Sequence, residues 1–146
     1  MEPATFKKLS RGLVVALAVT AALAGDDIKI PGGRSSAANW KFVATHPTIL
    51  LHVIVATAVL VLAVIAAIMS VRSRSRPWIT LSAAGLAFVL LAFASGGDYA
   101  ATLQRSADDY MGIGWFGAIV TYGTGWYLAR KTAQRGKAPV PPPEIT

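Results

Sequence analysis

His46 and His52 are the only histidines in the chain, and six residues separate them. On a helix that spacing is a rotation of about 600°, or about 240° net. The two imidazoles therefore do not share a face, and they do not chelate one metal ion together. His52 is the more informative of the two. It stands inside an apolar run that opens at His46-Pro47, and ionisable side chains within membrane spans are rare and often functional. The chemistry open to it is a hydrogen bond to a neighbouring helix, contact with a quinone, ligation of haem iron, or a step in a proton relay. Met111 opens the last apolar run on the same side and could complete a His/Met iron pair; the plainer reading of a methionine there is packing. Asp98, in Gly96-Gly97-Asp98-Tyr99, closes the run before it. Together with Tyr110 and Trp115 these side chains would form one polar cluster able to hold a quinone head or pass protons. The alternative is an ordinary interfacial belt of Asp, Trp and Tyr. His52, Asp98 and Met111 are thus the candidate cofactor-binding residues, for haem b or a quinone shared with a partner subunit. Regular helices of this chain alone do not bring two histidines to one haem.

Catalytic signatures are missing. There is no His-Glu-x-x-His, no Gly-x-Ser-x-Gly and no phosphate loop in the sequence, each of which would announce a specific chemistry. With no cysteine, thiolate metal sites, disulfides and a cysteine nucleophile are excluded. No apolar run carries the midplane charges or broken helices that a transporter uses.

The elements that position these residues follow from the apolar runs. A membrane-spanning helix needs roughly 20 apolar residues to cross a core about 30 Å thick. Ile49 to Val71, Ile79 to Gly97 and Met111 to Ala129 meet that length. Pro47 and Pro77 stand where two of them begin, a position that tolerates the missing N–H. An earlier run, Leu13 to Ala24, follows Lys7, Lys8 and Arg11, and Ala22-Leu23-Ala24 has the form of a signal-peptidase site. A cleavable secretory signal has that pattern; the expectation is instead an uncleaved signal anchor, with Arg11 snorkelling to the interface. The predicted fold is all-α, an integral membrane bundle with four spans at about residues 9–27, 48–71, 78–97 and 110–129 in one domain, 1–131. Gly25 to Thr45 is read as a polar connection with a turn at Pro31-Gly32-Gly33. Residues 132–146 are read as a cytoplasmic tail whose Pro-rich end favours an extended polyproline conformation.

Composition agrees with a lipid setting. The 146 residues are 54% hydrophobic and 14% charged, against about 25% charged in an ordinary soluble domain. The net charge of +7 could suggest nucleic acid, but the basic residues gather at the ends of apolar runs and form no continuous stripe. They read as a topology signal. Lys7, Lys8 and Arg11, then Arg72, Arg74 and Arg76, then Arg130, Lys131, Arg135 and Lys137 fall on one side of a four-span arrangement. Both termini are therefore expected on the cytoplasmic face of the membrane.

Small residues mark where helices approach closely in lipid. The last span has Gly114/Ala118, Gly117/Thr121 and Thr121/Gly125 at four-residue spacing, and the span before it has Ser82 with Gly85 and Ala92 with Gly96. Two uses are open, packing among the chain's own helices or docking against other membrane subunits. Finally, His46-Pro47-Thr48-Ile49-Leu50-Leu51-His52 resembles the His-Pro…His helix start of a family of small bacterial four-helix membrane proteins of uncharacterised function. The likeness covers the second and third spans, with the spacing one residue longer here. It implies a bacterial source and a four-helix arrangement. The functional expectation is a non-catalytic accessory subunit that stabilises a larger membrane complex, respiratory by preference. The alternative is a haem b- or quinone-binding anchor built on His52.

Overall fold

The structure, a computed structural model, describes residues 3–24, 30 and 35–135. Among them it contains five helices and no strand: α1 (Pro3–Leu23), α2 (Ser36–Thr45), α3 (Pro47–Arg72), α4 (Arg76–Thr102) and α5 (Arg105–Arg135). Short connections force antiparallel neighbours. Between α3 and α4 only Ser73 to Ser75 intervene, with Arg74 at φ 53°, and α4 hands over to α5 through Leu103 at φ 56°. Around the bundle, α1 packs on α3 and α5, and α4 packs on the same two helices, which closes a ring of four. The short α2 lies across one end, against α3 and α4.

That ring sorts charge. The start of α1, the α3–α4 turn and the end of α5 come together at a basic end carrying Lys7, Lys8, Arg11, Arg72, Arg74, Arg76, Arg130 and Lys131, with no acidic side chain among the described residues there. The other end, hereafter the acidic end, carries Asp98, Asp108 and Asp109 against Lys41 and Arg105.

α3 and α4 are long and apolar enough to cross a membrane. Only 17% of the most apolar stretch of each is buried, the reverse of a helix through a soluble core. Large aliphatic and aromatic side chains face outward along the ring, among them Val15, Ile54, Val61, Ile68, Ile113 and Phe116. Small and polar ones face inward: Ala63, Ala66, Ser70, Ser82 and Ala118. An outer surface of this kind suits lipid chains, with close packing inside it. Two interior serine hydroxyls are satisfied in series. Ser82 Oγ donates to the Trp78 carbonyl one turn back, which leaves Ser70 Oγ to donate to Ser82 at 2.5 Å and tie α3 to α4.

α1 and α5 fall outside that composition class. Lys7, Lys8 and Arg11 lie within α1, and the middle of α5 is rich in Gly, Trp and Tyr, although no charge falls between Asp109 and Arg130. Both are nonetheless walls of the ring. Phe6, Leu13 and Leu17 of α1 are buried, and Phe6 stacks on Trp78 with ring centroids 4.4 Å apart.

Element bounds differ from the apolar runs in one direction. α4 continues to Thr102 and α5 begins at Arg105, because backbone hydrogen bonding does not stop where hydropathy falls. The helix expected as a first span begins at Pro3 rather than near residue 9 and ends at Leu23; its expected end at 27, the Pro31-Gly32-Gly33 turn and the Pro-rich tail lie outside the described residues. The connection before α3 is corrected at Ser36–Thr45, which is a helix. Ser35 caps it by accepting from the Ala38 N–H, and Ala37 and Ala38 favour helix. No apolar run announces α2, since only one face of ten residues is covered.

Candidate functional site

A cavity of about 410 Å³ opens between the helices at the acidic end, within the roughly 300–1,000 Å³ of small-molecule sites. All five helices line it. Leu17 and Thr20 come from α1, Trp40 and Val43 from α2, His52 and Val59 from α3, Phe93 and Gly96 from α4, and Met111 and Trp115 from α5. The wall is mostly apolar. From His52 to Val59 it follows α3 for about 10 Å towards the middle of the bundle, where Val59 and Val89 are buried.

His52 is held at one nitrogen. Its Nδ1 lies 2.9 Å from the Thr20 carbonyl oxygen, in the last turn of α1, a carbonyl that also accepts the Ala24 N–H at 3.1 Å. A carbonyl only accepts, so in the neutral ring Nδ1 carries the proton and Nε2 carries the lone pair. Nε2 has no hydrogen-bond partner among the described residues and is not sealed off. The same helix end takes a second donor: Trp115 Nε1–H donates to the Leu17 carbonyl at 2.9 Å. Both rings thus fasten α1 to the bundle while forming part of the cavity wall.

Of the candidate residues, the structure brings His52 and Met111 to one wall. Met111 Sδ lies 3.2 Å from where a Cβ on Gly96 would stand, so glycine at 96 clears the room for it. Asp98 is not brought to this wall. It is exposed, and its backbone carbonyl accepts from Thr102 Oγ1. The acidic residue beside the cavity is Asp108 instead, itself exposed. Asp108 falls between the predicted spans 78–97 and 110–129; because α5 starts at Arg105, it sits in that helix's first turn, where a negative charge suits the helix dipole. Tyr110 points outward. His46 is also off the wall, with Nδ1 donating to the Phe42 carbonyl at 2.9 Å and its ring stacked on Phe42. Among the described residues no group of three or more His, Cys, Asp or Glu side chains is placed to hold a metal ion.

The small residues have contacts within the chain. A Cβ on Gly114 would stand 2.5 Å from the Ala92 backbone nitrogen, and one on Gly117 would stand 2.4 Å from the Phe88 ring. Gly125 faces Phe6, Ala118 is fully buried, and Gly85 of α4 receives the Tyr122 ring. Thr121 is half-buried and its hydroxyl donates back to the Gly117 carbonyl at 2.7 Å. Comparison with protein-family models, with curated proteins and with solved structures finds no match.

Proposed function

We propose that this chain is a four-span protein of a bacterial plasma membrane that binds an apolar small molecule between its helices. Its termini face the cytoplasm, because basic side chains collect at that end of the ring and positive charge marks the cytoplasmic side. One observation carries the binding reading: a mostly apolar cavity with His52 in its wall, one ring nitrogen anchored and the other open. The two ligands raised from the sequence, haem b and a quinone, are both apolar bodies with a polar point of attachment, and His52 offers that point. An accessory role in a larger respiratory complex drew on the missing catalytic constellation, the small-residue pairs and the polar tails. Gly114, Gly117 and Gly125 are occupied by α4 and α1, so the ligand-binding reading is preferred.

The test is organic extraction of the detergent-purified chain followed by mass spectrometry and an absorption spectrum. The wild type should release an apolar molecule in near-stoichiometric amount. Ala56→Trp, which fills the cavity from α3, should release none while keeping its helical circular dichroism. Equal amounts from both proteins would sink the proposal.

A further inference from the structure

The open nitrogen of His52 limits what the cavity accepts, and this inference rests on the ligand-binding reading above. We infer that the ligand presents a hydroxyl group, as a hydroquinone or phenol head on an apolar tail does, and donates it to His52 Nε2.

Three donors on the inner wall are already used within the protein. His52 Nδ1–H goes to the Thr20 carbonyl, the Thr20 hydroxyl goes to the Ala16 carbonyl at 2.8 Å, and Trp115 Nε1–H goes to the Leu17 carbonyl. What remains on the inner wall is acceptor capacity, the Nε2 lone pair. Trp40 and Tyr99 keep polar hydrogens, but Trp40 is on the covering α2 and Tyr99 is in the last turn of α4. A ligand that only accepts, such as a quinone carbonyl, finds no free donor at neutral His52. A ligand that donates finds one well-placed lone pair. Beyond His52 the wall is apolar through Ala56, Val59 and Val89, which suits a tail, and the Trp115 ring offers a flat face to an aromatic head.

The experiment compares a decyl-substituted benzoquinol with the matching benzoquinone, each titrated against the full chain in detergent and followed by quenching of tryptophan fluorescence. The reduced form should bind about tenfold tighter, the effect of one hydrogen bond gained against one unmade. His52→Phe should abolish that preference. The wild-type ratio decides by itself, so the outcome does not depend on the variant folding. Equal or tighter binding of the quinone would overturn the hydroxyl assignment; if Ala56→Trp then abolished binding of both forms, the cavity would stand as a binding site of another specificity. Failure of both forms to bind the wild type, or a haem absorption band lost in His52→Phe, would overturn the assignment as well.

Discussion

Trp115 and His52 do similar work from different helices, each sending a ring N–H into the last turns of α1. Removing such a bond while keeping a ring isolates its contribution. Trp115→Phe should lower stability by roughly 0.5–1.5 kcal/mol, read as an earlier midpoint in detergent denaturation, with the bundle otherwise intact. No loss would mean that packing alone seats α1. At this scale the sequence was partly legible. A histidine within an apolar run stood out, because few ionisable residues survive there. Its tautomer did not, since Thr20 lies thirty-two positions away and no spacing rule links the two. Asp98 and Asp108 could not be ranked for the same reason: which acidic residue lies beside the cavity depends on where α4 ends and α5 begins.

Helix α5 separates glycines that fit from glycines that merely occur. At Gly114 an added methyl meets backbone of α4, which cannot give way, whereas at Gly123 it meets nothing within 4 Å. Gly114→Ala should therefore destabilise by about 1–3 kcal/mol through a forced separation of α4 and α5. Gly123→Ala should be neutral or gain up to about 1 kcal/mol from helix propensity. Thermal unfolding of the two variants side by side checks this, and similar midpoints would refute the packing assignment. The α3–α4 turn gives a prediction of opposite sign. Arg74 holds a left-handed backbone at φ 53° and is exposed, so Arg74→Gly should raise the unfolding midpoint, by up to about 1 kcal/mol. The small-xxx-small spacing identified these positions as packing sites, but not whose helix fills them. That needed the order of helices around the ring.

As a whole molecule the bundle mixes serines and alanines with leucines and valines in its core and carries many branched aliphatic side chains on its outer surface. Its two ends differ in charge, and the charge difference sets the expected direction in the membrane. The absence of native cysteine makes single-cysteine labelling clean. In intact spheroplasts, Ser36→Cys at the acidic end should react with a membrane-impermeant maleimide, and Arg74→Cys should react only after the membrane is opened. The reverse pattern would invert the topology, and labelling of both from one side would refute the span count. Removal of α1 bears on the same scale: a chain lacking residues 3–24 should lose the cavity, because Leu17 and Thr20 form part of its wall and the His52 anchor lies on that helix.

The sequence by itself determined the helical class, the approximate places of the long helices, the gathering of basic residues at their ends and the singularity of His52. Each of these is local, read from runs of hydropathy and single residue types along the chain. Tertiary structure decided the rest. It made α1 a wall of the ring, gave the short α2 as a cover, and replaced Asp98 by Asp108 at the cavity. It also fixed which nitrogen of His52 is open. Those features depend on contacts between residues far apart in sequence, and a hydrogen bond from α3 to the end of α1 leaves no trace in either segment alone.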